Sequence, residues 1–351
     1  MLAPSEYEGT ATDGYLDTGT FGLPPRSTVI ALESAVAGWR AREPWRQWEE
    51  DGETCRALFA GLVGARAKDV ALLPALSAAA GLIAASLPAQ RGDNVVLVED
   101  DFTSTLLPWR GLEARGIELR LRPFEELLGG VDDRTALIAV SLVQSANGAV
   151  VDAAALAETG APIFLDATQA VGAIPVDVGS VDYLAAHPYK WLCAPRGLAF
   201  LYVRHDRLDE ITPWTAGWKS RERPYDHYYG LPDITTDARR LDVSLPWIVA
   251  AGARASLELI TELGIDRIAE HDLTLAKLFT GELGMGEPPS PIVRVQVEDT
   301  DAALERLRSA GVACSVRAGS IRFCFHFYNR TEDVDRALEA IPIRQVFDSR
   351  S

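Results

Sequence analysis

Seven short apolar runs, separated by helix-like stretches, occupy the first two thirds of the chain and leave it few architectures. They are DVALLP (69–74), NVVLVED (94–100), IELRLRP (117–123), TALIAVSLV (135–143), PIFLDA (162–167), YLAAH (183–187) and GLAFLYV (197–203). Their apolar residues are consecutive rather than alternating, which is the pattern of strands covered on both faces. Ala-rich stretches such as 77–87 and 152–158 lie between them. Strands alternating with helices predict an α/β fold with a mostly parallel seven-stranded sheet flanked by helices. The last two runs are close together and are expected to include an antiparallel pair.

From Trp214 the texture changes. Residues 214–235 are rich in aromatics, proline and charge and have no period, as in a long functional excursion. An amphipathic helix follows from Leu245 and stops at Gly264. Strand, helix, strand and helix patterns then alternate to the end, predicting a smaller α+β domain over 245–351 after a large domain over 21–244.

Lys+Arg number 34 and Asp+Glu 50, a net charge of −16. An overall field of this sign argues against nucleic acid and against an anionic membrane as partners. No run approaches the roughly 18 apolar residues of a membrane span. The acidic start lacks a signal-peptide pattern, so a cytoplasmic location is expected. Cys55, Cys193, Cys314 and Cys324 are scattered, without zinc or disulfide spacing. His187, His205, His227, His271 and His326 show no metal-binding spacing either, and no metal is expected.

The window 162–203 carries the chemistry. Asp166 ends an apolar run, where open α/β sheets place ligands. Gln169 follows, and Lys190 lies in a short segment with His187, Tyr189 and Trp191. A lysine among aromatic and apolar neighbours can lose its proton near neutrality and act as an amine nucleophile. Taken alone, Lys190 reads as a surface lysine lying over Trp191. The ordered set Asp166-Ala-Thr-Gln169, Tyr189-Lys190-Trp191-Leu192 and Ala194-Pro195-Arg196-Gly197 changes that reading. It resembles the class V aminotransferase group of fold-type I pyridoxal phosphate (PLP) enzymes, which includes cysteine desulfurases, kynureninases and isopenicillin N epimerase-like proteins. The similarity extends over nearly the whole chain. YLDTGTFGLPP (15–25) resembles the group's N-terminal active-site loop, so residues 1–20 are expected to serve the site. RAGSIRFCFHFYNRTEDVDRALEAI (317–341) resembles its C-terminal signature.

The resemblance implies PLP as cofactor, an amino-acid substrate and a homodimer. It assigns Lys190 as the amine that joins the cofactor and later moves the Cα proton. Asp166 is implied at the pyridine nitrogen, Gln169 near the ring oxygen and Phe102 against the ring. A phosphate needs donors and a helix N-terminus. Ser77 precedes an Ala-rich helix as an N-cap would, and at the phosphate Ser77, His187 and Tyr189 are implied. Relatives carry a different residue at the place of His187. Gln144 or Ser145 falls where relatives contact cofactor or substrate. Trp218, after Gly217, matches a Trp that reaches the partner subunit's phosphate. Arg322 matches the residue that holds the substrate carboxylate, a role suited to its bidentate fork.

Desulfurases carry a nucleophilic cysteine on an extended loop, and GVACSVRAGSIRF is too short for one. Cys314 reads as core, and persulfide transfer is disfavoured. The expected reaction is β-elimination, cleaving the C–S bond of a cysteine S-conjugate in small-molecule biosynthesis. Transamination or epimerisation of an amino acid is the alternative. A cysteine desulfurase is further off for the lack of that loop, and a non-catalytic binding module because Lys190, Asp166 and Arg322 are all retained.

Overall fold

Each of the seven apolar runs forms a strand of one sheet. The computed structural model describes residues 1–9, 11–226 and 228–341, so His227 and the last ten residues of the expected C-terminal domain lie outside it. In chain order the elements are α1 (Arg26–Ala41), α2 (Arg46–Leu62), β1 (Val70–Leu73), α3 (Leu76–Ser86), β2 (Asn94–Val98), α4 (Thr103–Leu106) and β3 (Glu118–Arg122). Next come β4 (Thr135–Ser141), α5 (Ala153–Glu158), β5 (Ile163–Asp166), β6 (Tyr183–Ala186), β7 (Ala199–Val203), α6 (Trp247–Leu263) and α7 (Ile265–Glu282). The last are β8 (Ile292–Val295), α8 (Thr300–Ser309), β9 (Ser315–Arg317), β10 (Ser320–Cys324) and α9 (Thr331–Ala340).

The large sheet has the order β1-β7-β6-β5-β4-β2-β3. Neighbours from β6 through β3 run parallel. The expected antiparallel pair is β6 with β7, and β7 also pairs antiparallel with β1. Five of the strands are buried throughout, and β4 is buried from Leu137 onward. β3, at the sheet edge, is part exposed along its length, and its ELRLR sequence alternates charge with leucine. Charge on an edge strand blocks pairing with another chain. The apolar strands divide their side chains between two cores, one on each face. Helix α6 packs on α1 and α2, and its Leu257 and Ile260 join the first of these cores. A separate three-stranded antiparallel sheet, β8-β10-β9, has its own core with α7, α8 and α9. Among the described residues no helix is long and apolar enough to cross a membrane.

Parallel strands align their C-terminal ends, and residues there converge. Asp101 follows β2, Ser141 ends β4, Asp166 ends β5 and His187 follows β6. The fold thus brings four polar side chains, far apart in sequence, to one sheet edge.

Candidate active site

At that edge lies a cavity of about 570 Å³ lined by Lys190, Tyr189, Phe102, Ser145 and Arg322 together with residues 19–22 of the N-terminal segment. Lys190 is 6% exposed. Its Nζ lies 5.4 Å from the Phe102 ring centroid and 5.9 Å from that of Tyr189. Burial pulls the Lys190 ammonium down from 10.5 to about 8; Asp166 acts the other way, and Arg322 adds to the fall. Phe102 is 47% exposed, so it is a wall of the opening and not a core residue.

The carboxylate of Asp166 is fixed by two donors, the Thr105 hydroxyl at 2.8 Å and the Thr168 N–H at 2.9 Å. Asp101 accepts from the Phe102 N–H and from the N–H and hydroxyl of Ser141. It therefore ties the end of β4 to the base of Phe102. Burial pushes its carboxyl above the usual range, against those donors.

Arg322 sits in β10, the central strand of the small sheet, and is 1% exposed. Its Nη1 donates to the Ser145 carbonyl (2.9 Å) and hydroxyl (3.2 Å). Its Nη2 donates to Asp17 (3.0 Å) and to the Thr20 hydroxyl (2.8 Å). Its Nε is buried without a hydrogen-bond partner, a donor left uncommitted in a group that presents five. The N-terminal segment closes over the lysine. The Gly22 N–H donates to the Tyr189 carbonyl, and a Cβ at Gly22 would stand 2.1 Å from the Lys190 carbonyl oxygen. No other residue fits that approach.

The sequence profile of the class-V aminotransferases matches residues 43–337, spanning both sheets. The chain belongs to the class-V aminotransferase family. An uncharacterised aminotransferase of Bacillus subtilis is 30% identical over 323 residues, covering 86% of each chain. Isopenicillin N epimerase of Streptomyces clavuligerus is 28% identical, with 93% of each chain covered. A probable cysteine desulfurase of Methanothermobacter thermautotrophicus is 24% identical over 80% of each. Among solved structures, the cystine C–S lyase C-DES in complex with cysteine persulfide aligns at a TM-score of 0.86 and 19% identity, over 95% of this chain and 98% of that one. That likeness bears on the fold alone.

Class-V enzymes use PLP, and the residues here fit that group. The fit rests on a buried amine, a clamped carboxylate at a strand end, an aromatic ring facing the amine, and a free Tyr189 hydroxyl in the same cavity. Several expected side chains stand differently. Ser77 is not the N-cap of α3. The helix begins at Leu76 behind an extended Ala75, and Ser77 is an exposed second residue of the first turn. The capping task falls to His187, whose Nε2 accepts from the Leu76 N–H at 3.1 Å while Nδ1–H donates to the Leu198 carbonyl at 3.1 Å. With both ring nitrogens committed, His187 is no phosphate ligand. Burial lowers its pKa and keeps it neutral. It anchors the helix terminus that Ser77 shares.

Gln169 spends its amide within the protein. It accepts from Trp191 Nε1 at 2.8 Å and donates to Gly19 and Ser145. It braces the cavity wall. The choice between Gln144 and Ser145 falls to Ser145, which lines the cavity. Gln144 turns inward to Asp101 and the Ser141 carbonyl. Trp218 lies away from the cavity. Its Nε1 donates to Ser244, and its ring packs with Trp45 and Tyr225.

Sequence reasoning missed Asp17, Asp101, Thr105, Thr168 and Arg317. Asp17, Thr168 and Arg317 lie inside the motif stretches already singled out, but no role was assigned to them there; Asp101 and Thr105 lie outside those stretches. Asp101, three residues past a β2 run, carried one usable signal: its place at the C-terminal end of a parallel strand.

Proposed function

We propose that this enzyme cleaves the C–S bond of a cysteine S-conjugate by β-elimination, giving a thiol, pyruvate and ammonia. The observation that carries the reading is a lysine amine with a pKa of about 8 in one cavity with a buried arginine and no cysteine. Cys324 is fully buried and burial raises its thiol, while Cys314 is pushed up to about 12. Neither has the thiolate character a persulfide carrier needs.

PLP, when bound, supplies the electron sink for chemistry at Cα. Arg322 and Ser145 hold the substrate carboxylate, with the uncommitted Arg322 Nε as donor. Asp166, oriented by the Thr105 hydroxyl and the Thr168 N–H, would face the pyridine nitrogen of bound PLP and favour its protonated form. Lys190 accepts the Cα proton as its free amine. The Cβ–S bond then breaks, the electron pair and a proton leave with sulfur, and water provides the pyruvate carbonyl oxygen. Phe102 covers the reacting face and limits water.

The test is turnover of a cysteine S-conjugate by the PLP-loaded enzyme, with the cofactor spectrum, thiol and pyruvate followed together. Stoichiometric thiol and pyruvate with an unchanged resting spectrum are expected. Conversion of the cofactor to its pyridoxamine form, without thiol, would instead establish transamination, the reading favoured by the 30% identical aminotransferase. Lys190→Ala should abolish both products and the borohydride-fixable link to the cofactor.

We also propose a homodimer. Helix α1 exposes Ile30, Val36 and Trp39, and Phe21 and Phe102 are half exposed at the cavity. Apolar surface of this kind is typical of subunit contacts. Sedimentation equilibrium of the loaded enzyme is expected to give twice the chain mass of 38.1 kDa; a fully active monomer would refute it.

A further inference from the structure

A chain with a net charge of −16 gathers Lys190, Arg196, Arg317 and Arg322 around one cavity, and no Asp or Glu lines it. The charges are not equally matched. Arg322 has Asp17 at 3.0 Å. Arg317 has only uncharged oxygens, the Val316 carbonyl at 2.8 Å and the Thr20 hydroxyl at 3.0 Å. No carboxylate lies within ion-pair distance of it among the described residues. Burial and the neighbouring Arg322 lower its pKa and Asp17 offsets them only in part, so the protein leaves this charge under-compensated. Such a guanidinium favours an anion from outside.

Its placement is fixed. Arg317 ends β9 and pairs directly with Ser320 of β10. The two residues between them, Ala318 and Gly319, both have positive φ (45° and 73°), the signature of a two-residue type I′ hairpin. Ser320 and Arg322 alternate onto one face of β10, so Arg317 shares that face with Arg322 as its diagonal neighbour. Diagonal partners stand roughly 7–8 Å apart, a separation that one small molecule with two acidic groups can bridge.

We propose that Arg317 is a specificity-determining residue that holds a second carboxylate, carried on the sulfur substituent of the substrate. This rests on the C–S lyase reading and names its substrate class: cysteine S-conjugates with an S-carboxyalkyl group. Arg322 takes the α-carboxylate and Arg317 the distal one. A substituent with a further ammonium, as in cystine, meets no acid in the lining.

The probes are S-carboxymethylcysteine and its neutral amide, S-carbamoylmethylcysteine, titrated into the PLP-loaded enzyme by the change in cofactor absorbance. The acid should bind about 10- to 100-fold tighter, the range for a charge-assisted pair. In Arg317→Gln that preference should fall to within about threefold, with amide affinity and PLP affinity unchanged. Arg317→Lys, which keeps the charge, should retain most of it. Equal binding of the two probes by the wild type overturns the proposal. So does a preference that survives in Arg317→Gln, or a loss of PLP affinity there, which would make Arg317 a cofactor ligand. Acid preference without thiol release refutes the C–S lyase reading and leaves the Arg317 assignment standing. Failure of both probes to bind overturns both.

Discussion

Lys190 carries a cost that can be measured without any turnover. Its ammonium is 6% exposed, and burial brings its pKa from 10.5 to about 8. At about 1.4 kcal/mol per pH unit, that fall equals about 3 kcal/mol of lost stability in the cofactor-free protein. The direction follows from proton counting. Between pH 8 and 10.5 the unfolded chain binds the proton and the folded one releases it, so stability rises with pH across that window. Below pH 8 both states are protonated and the full cost is present. Lys190→Met removes the charge at similar volume. It should stabilise the cofactor-free enzyme by about 3 kcal/mol at pH 7, and the gap should vanish above pH 10.5. For a chain of 351 residues, an unfolding entropy near 2.1 cal/mol/K per residue makes this about 4 °C in Tm. Urea unfolding of both proteins from pH 6 to 10.5 is the assay. A variant no more stable than wild type at pH 7, or a gap independent of pH, would refute the claim that desolvation sets the reactivity of this amine.

Four other outcomes are expected. Asp242 pairs with Arg56, which is 2% exposed and also pairs with Glu53 at 3.0 Å, and it accepts from the Leu72 N–H at 2.8 Å; Asp242→Ala should cost about 2–3 kcal/mol in urea unfolding, by leaving the buried Leu72 N–H unpaired and Arg56 with one carboxylate instead of two. His187→Ala should weaken PLP binding about tenfold, read by fluorescence titration, because the N-terminus of α3 loses its anchor. Cys314→Ala should keep full C–S lyase activity; its loss would restore a persulfide route. His271 is pushed down to about 4 by burial and by the N-terminal ammonium, so the unfolded chain takes that proton first and stability should fall as pH drops from about 6.5 towards 4, seen as a decreasing urea midpoint.

Six of the seven strands were legible because a strand covered on both faces is apolar over most of its length, as Leu137–Val140 of β4 are. Lys190, Asp166 and Arg322 were legible through ordered local motifs. Ser77 misled because a Ser before an alanine run looks like a cap, whereas the real partner of the helix end is His187, 111 residues away. Gln144 and Ser145 could not be told apart while the backbone register at the end of β4 was unknown; the Val143–Val150 bridge fixes it. Asp17 and Arg317 sit in stretches that resemble family motifs, but nothing local in those stretches assigns either one a role. Asp17 becomes a site residue only by lying 3.0 Å from Arg322, 305 positions on. Polar residues that act through long-range contacts leave no periodicity for a reader to find.

The same long-range contacts explain how a lysine without a hydrogen-bonded partner can still be aimed. The three carbonyls along its backbone segment are each engaged. Tyr189 is held by the Gly22 N–H, Lys190 by the Cys193 N–H and Trp191 by His326 Nε2 at 2.9 Å. His326 is itself fully buried, and its Nδ1 meets Asp272 at 2.8 Å. Asp272 also contacts His271, whose Nε2 accepts from the N-terminal ammonium. The segment is thus clamped from the N-terminal segment on one side and, through His326, from α7 on the other. With the backbone fixed, only the lysine's own rotamers remain free. A tethered amine that moves by side-chain rotation alone can leave its covalent partner and reach a substrate Cα without any shift of the main chain. Committing the carbonyls while leaving Nζ uncommitted achieves this, and it is also why the charge on that nitrogen is so costly to hold.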